Sequence, residues 1–104
     1  MQFITGRIIL IGELVVINKD NNQFSSITFV IKKKMNKKMR NISFKCYGKL
    51  ADEINALRIN DKLKVEYLII SNKATTEKWY TTLQAKSIEQ IGNVNNIENQ
   101  KKLI

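Results

Sequence analysis

One short stretch breaks the pattern of this chain. Leu50, Ile54 and Leu57 recur at helical spacing within Lys49–Leu57, which makes a single apolar stripe. A helix of two to three turns does not stand by itself in water, so it must pack against something. On both sides the spacing changes to two, the period of a strand. Three strand-like segments precede the stripe and two follow it.

The first segment, Phe3–Ile17, is rich in Ile, Val and Leu and is interrupted by Gly6 and Gly12. Such interruptions suit a strand that bends sharply or carries a bulge. Asn18–Asn22 supplies a turn, since Asn and Asp tolerate the left-handed conformation. In the second segment, Gln23–Ile31, residues Ile27, Phe29 and Ile31 share one face and Phe24, Ser26, Thr28 and Lys32 the other. In the third, Asn41–Tyr47, Ile42, Phe44 and Cys46 oppose Ser43, Lys45 and Tyr47. Gly48 ends it. After the helix, Asn60-Asp61 turns the chain into a fourth strand, Lys62–Ser71, with Leu63, Val65, Tyr67 and Ile69 on its core face. Asn72–Lys78 reads as a polar hairpin loop. The fifth strand, Trp79–Ile91, sets Trp79, Thr81, Leu83 and Ala85 against Tyr80, Thr82, Gln84 and Lys86.

Three strands, a helix and two strands is the order of the OB-fold, an all-β, five-stranded Greek-key barrel with one short helix between strands three and four. A plain antiparallel sheet carrying one helix is the alternative. The chain has 104 residues, enough for one domain with a modest core. Residues 1–91 form that domain in this reading. Residues 92–104, NVNNIENQKKLI after Gly92, are a polar C-terminal tail.

The charge is concentrated. Lys32–Arg40 reads KKKMNKKMR, six cations in nine residues without an acid, and the whole chain carries +9. The run lies between two strands, so it is a loop held at a fixed place rather than a loose basic terminus. A polyphosphate backbone is its simplest partner. An anionic membrane is the weaker reading: no apolar run approaches the roughly 18 residues of a spanning segment. MQFITGR lacks a secretory pattern, and the expectation is a soluble, cytoplasmic protein.

Missing residue types narrow the chemistry. There is no histidine, and Cys46 is the single cysteine. Neither a zinc site nor a histidine-based triad can be assembled from one chain, and no metal or other cofactor is expected. The four glycines are scattered and make no phosphate loop. Asp52 and Glu53 are adjacent and point apart on a helix. The reading is of a binding protein, not an enzyme.

With these segments in view, the chain resembles the small single-stranded-DNA-binding-protein-like OB-fold proteins of bacteria over roughly residues 1–91. The anchors are Ile4-Thr-Gly-Arg-Ile8, Ile42-Ser-Phe-Lys-Cys-Tyr47 leading into the helix, Leu57-Arg-Ile-Asn-Asp-Lys-Leu-Lys-Val65, and Lys78-Trp-Tyr-Thr-Thr-Leu-Gln-Ala85. Where that family more often has Gly-Asp, this chain has Asn60-Asp61, and Asn tolerates the same conformation. Relatives usually end in an acidic, aromatic tip that recruits repair and replication enzymes. This chain ends Lys101-Lys-Leu-Ile104, which argues against that recruiting role. The resemblance implies sequence-tolerant binding of single-stranded DNA.

Such binding needs a cationic track beside flat stacking platforms. The candidate track is Lys32, Lys33, Lys34, Lys37, Lys38 and Arg40 in the loop, with Lys45 and Lys86 on the strands. Phe24, Tyr47 and Tyr80 lie on faces opposite the apolar stripes and are the candidate platforms. Trp79, Phe29 and Phe44 are in phase with aliphatic residues and belong to the core, although Trp79, at its strand's end, can stack instead. Met35 and Met39 can lie against bases or pack on the barrel. Leu68 and Ile70 make the second face of the fourth strand apolar, and a homo-oligomer contact, dimer or tetramer, is the natural cover. Lysines and aromatics serve RNA as well as DNA, and a β surface can also serve as a protein adaptor. The 2′-hydroxyl contacts that separate RNA from DNA are not readable here.

Overall fold

The computed structural model describes residues 2–73 and 79–91. The elements are β1 (Gln2–Ile11), β2 (Val15–Lys19), β3 (Asn22–Met35), β4 (Lys38–Tyr47), α1 (Lys49–Asn55), β5 (Lys62–Lys73) and β6 (Trp79–Ile91). The strands follow the order β1-β5-β6-β4-β3-β2, and β1 also pairs with β3. That extra pairing closes a ring of five, β1-β5-β6-β4-β3, with β2 attached outside it. This is the barrel expected from the strand order.

β1 is the shared strand. Its first part, Gln2–Arg7, pairs with β5, and Arg7–Ile11 pairs with β3. Ile9 is the extra residue of a bulge, because Ile8 faces Ile31 and Leu10 faces Val30. Gly6 lies at the crossing, where a Cβ would come within 2.7 Å of the Lys32 carbonyl oxygen. A side chain there would push β1 and β3 apart. The expected single strand Phe3–Ile17 is in fact two. Gly12 donates its N–H to Thr28 O at 2.7 Å, and the chain then leaves the ring before resuming as β2.

Two tight hairpins follow from sequence. Asp20 and Asn21 join β2 to β3, and Asn36 and Lys37 join β3 to β4; all four have positive φ. That pair of left-handed central residues belongs to the type I′ turn, whose twist matches the strands it connects. The basic run Lys32–Arg40 is therefore not a loop. β3 continues to Met35 and β4 begins at Lys38, leaving two turn residues. The expectation of a loop gives way because every residue in the run is polar or flexible, so no apolar alternation marks it as strand.

The core is formed by the predicted faces. Ile27, Phe29 and Ile31 of β3 and Phe44 and Cys46 of β4 are buried, as are Leu63 and Val65 of β5. Phe29 and Phe44 stack at 5.4 Å. α1 packs on β3, β4 and β6, burying Ala51 and Ile54 with Leu50 and Leu57 against the same cluster. Gly48, at φ 69° and ψ −140°, a conformation suited to glycine, makes the turn into it. Burying one such Ile or Phe contributes roughly 1.5–3 kcal/mol.

Three placements differ from the simple alternation. Ile69, expected in the core, is 54% exposed. β1 begins opposite Tyr67, where Gln2 also accepts the Tyr67 hydroxyl at 2.9 Å. Beyond that point β5 has left the ring and is paired only with β6. Tyr67 is half-buried for the same reason. On β6, Ser87 faces Glu66 and Ala85 faces Tyr67, so Lys86 is the extra residue of a second bulge. The bulge reverses the faces, and Ile88 turns towards the core.

Cys46 is buried in the barrel, and burial pushes its thiol up to about 12 from an ordinary 9.0. A folded value above the unfolded one favours the neutral thiol in the native state. Its stabilising contribution is present below about pH 9 and is lost as pH rises towards 12. At pH 8 a disulfide exchange reagent should label Cys46 at least about a hundredfold more slowly than in the denatured chain. Labelling at the denatured rate would show that the barrel opens freely at β4.

Candidate nucleic-acid interface

Because Ile27, Phe29 and Ile31 point inwards, the alternate residues of β3 and their β4 partners form an outer face. Its register is Ser26 with Tyr47, Thr28 with Lys45, Val30 with Ser43, Lys32 with Asn41 and Lys34 with Met39. Phe24 precedes Ser26 on the same side. Its ring meets that of Tyr47 edge to face, with centroids 6.2 Å apart and planes at 70°. Phe24 is half-buried, while Tyr47 keeps 39% of its surface exposed. The expected pair is thus one unit: Phe24 braces Tyr47, and Tyr47 offers the free surface.

Lys45 is exposed beside this pair. β4 and β6 run parallel, with Lys45 opposite Gln84. Further along β6, Lys86 is exposed as well. Among the described residues β4 and β6 pair at that one position, and beside it lies a slot of about 210 Å³. Thr28, Ser43, Thr81 and Thr82 line it with Lys45, Phe44 and Leu83. The side chains of Trp79 and Tyr80 lie outside the described residues, although both belong to β6.

The cations of the β3–β4 ribbon divide between its two faces. Lys32 and Lys34 continue the outer face, at the opposite end from Tyr47. At about 3.3 Å per residue, Phe24 and Lys34 are roughly 33 Å apart along β3. Lys33 stands opposite Arg40 on the other face, where Lys38 faces Met35. Lys37 occupies the turn. Lys33 Nζ donates to Thr5 O at 3.3 Å, tying the ribbon to β1. Like charges directly opposite each other destabilise a sheet, so the Lys33–Arg40 pair works against the hairpin that carries it.

At the foot of the ribbon is a groove of about 420 Å³. Lys32, Lys33 and Lys34 line it together with Arg7 of β1 and Lys62 of β5. Sequence reading misses Arg7 and Lys62. Alternation places Arg7 outwards between Gly6 and Ile8, but only barrel closure brings it beside Lys32 and Lys62. Met39, 53% exposed, also lines this groove. Leu68 and Ile70, the expected oligomer contact, are half-buried; the open apolar residue on that stretch is Ile69.

Among the described residues, no group of His, Cys, Asp and Glu could hold a metal ion. No described helix is long and apolar enough to cross a membrane.

No family model matches the chain, and no curated protein matches it. Solved structures do. The SSB domain of a protein from Synechococcus sp. is similar at TM-score 0.62 and 14% identity, covering 86% of this chain and 92% of that one. The second single-stranded DNA binding protein of Mycobacterium smegmatis gives 0.62 at 16% identity, over 97% and 96%. Single-stranded DNA binding protein from Thermus aquaticus gives 0.60 at 14%, over 85% of this chain and 38% of that longer one. At identities this low the likeness establishes the fold, the OB-fold that the strand order implied.

Proposed function

We propose that this OB-fold chain binds single-stranded DNA without sequence preference and performs no chemistry on it. The observation that carries the reading is the outer face of β3 and β4, which joins a braced, exposed Tyr47 to a cationic ribbon. A single strand laid along that face meets a stacking platform at one end and phosphate-binding lysines at the other. The slot beside Lys45, where Thr and Ser residues alternate with Phe44 and Leu83, offers hydrogen bonds and apolar contact to base or sugar edges between them. The fold shared with proteins described as single-stranded DNA binding supports the same reading.

Stacking needs unpaired bases. The test is anisotropy titration of labelled oligo-dT, oligo-rU and duplex DNA at two salt concentrations. Oligo-dT should bind more tightly than duplex, and Tyr47→Ala should cost about 1–3 kcal/mol on single strands. Equal affinity for duplex and single strand would leave only charge attraction. Preference for oligo-rU would turn the assignment to RNA.

The ribbon should act through phosphate charge. Replacing Lys33, Lys34, Lys37 and Lys38 together by Gln should lower the salt slope on single strands by about 0.7 for each phosphate that the ribbon no longer neutralises. Thermal stability should change little: Lys34, Lys37 and Lys38 are exposed, and loss of the Lys33 bond to Thr5 O is offset by relief of its repulsion from Arg40. An unchanged slope would remove the ribbon from the interface.

The chain is also proposed to self-associate through the outlying part of β5, where Ile69 is exposed between half-buried Leu68 and Ile70. A two-fold contact there would place two ribbons on one strand and raise affinity through effective concentration. Sedimentation of the wild type beside Ile69→Lys should show an oligomer that dissociates in the variant. A wild type that is monomeric at roughly tens of micromolar, where a pair of micromolar affinity would be assembled, would overturn this proposal.

A further inference from the structure

Three cations stand in a row across three neighbouring strands. Arg7 of β1 is directly opposite Lys32 of β3 on one side and Lys62 of β5 on the other. Opposed side chains in a sheet have Cβ atoms about 5 Å apart, so three positive charges are carried within roughly 10 Å of barrel wall. Lys33 and Lys34 border the same groove, and among the described residues no carboxylate lines it. Two of these cations are already positioned: Arg7 Nη1 donates to Asn60 O at 3.0 Å, and Lys33 Nζ donates to Thr5 O. Ile9 and Met39 give the groove an apolar wall. The groove is shallow and open to solvent, with a volume of about 420 Å³, so a charged chain end can reach it from outside.

An internal phosphodiester brings one negative charge to such a place. A phosphomonoester brings about −1.5 to −2 at pH 7, with three acceptor oxygens. A guanidinium beside two ammonium groups matches that concentrated charge, and the planar fork of Arg7 can grip two oxygens at once. We propose that the groove seats a phosphorylated end of the bound strand, with Arg7 and Lys62 at the phosphate and Ile9 and Met39 against the terminal base. The inference rests on the single-strand reading above. It adds that the strand has a fixed end on this surface.

A 5′-phosphate and a 3′-phosphate share this chemistry, and the experiment separates them. Oligo-dT of one length is titrated with a 5′-phosphate, with a 3′-phosphate, and with hydroxyls at both ends. The wild type is compared with Arg7→Gln plus Lys62→Gln. One phosphorylated form should bind about tenfold more tightly than the hydroxyl form, the size of one added charge-assisted hydrogen bond. The double variant should lose that advantage and still bind the hydroxyl-ended strand. Lys62→Gln alone, which keeps the Arg7–Asn60 bond, should lose part of it and guards against a folding defect. Equal wild-type affinity for all three strands overturns the proposal, and so does an advantage that survives in the double variant. If the wild type binds no strand at all, the single-strand reading has failed. Inorganic pyrophosphate then decides the groove: amide shifts confined to Thr5–Ile9 and Asn60–Lys62 support a phosphate seat, and their absence overturns it.

Discussion

Closure of the barrel depends on one close backbone approach. β1 must serve β5 with one half and β3 with the other, and the changeover at Gly6 and Arg7 leaves no room for a Cβ above the Lys32 carbonyl. With that approach in place, five strands form a ring around Phe29, Phe44 and the aliphatic core. Without it, β1 would pair with one neighbour and the sheet would stay open. The same crossing sets Lys32, Arg7 and Lys62 side by side. The cationic groove is therefore a by-product of closure geometry, and no local stretch of sequence contains it.

The interface follows from strand period more than from loop chemistry. Since Ile27, Phe29 and Ile31 fix the inward face of β3, Phe24, Thr28, Lys32 and Lys34 have no choice but to face out. The I′ turn at Asn36 and Lys37 carries this alternation past the barrel without a flexible joint. In the proposed mode a single strand would meet a two-stranded ribbon rather than a long loop. Lys33 anchors the ribbon's base to β1 through Thr5 O, which limits how far it can swing.

Much of this is legible in the sequence. The helical stripe at Leu50, Ile54 and Leu57 locates α1, and the alternation of β3 and β4 identifies Phe29 and Phe44 as core and Tyr47 and Lys45 as outward. The failures have definable reasons. Alternation tells which side a residue is on, but not whether a neighbouring strand extends far enough to cover it, and so it misplaces Ile69. A bulge is invisible to a fixed period, and so Ile88 escapes notice after Lys86. A run of lysines has no apolar phase, and so the ribbon reads as a loop. Arg7 and Lys62 meet across 55 positions of sequence, a separation that only the pairing of β1 with β5 removes.

The opposed cations also imply contrary responses to ions in the free protein and in the proposed complex. Lys33 against Arg40, and Arg7 between Lys32 and Lys62, repel one another in the unbound barrel. Mobile counterions screen such repulsion over a Debye length of about 10 Å at 0.1 M, so added salt relieves strain in the folded chain. In a complex with a polyanion those same ions compete for the same side chains, and added salt drives the partners apart. Electrolyte would thus favour the free barrel while weakening the proposed complex, in which the bound strand would serve as the barrel's counterion at low salt.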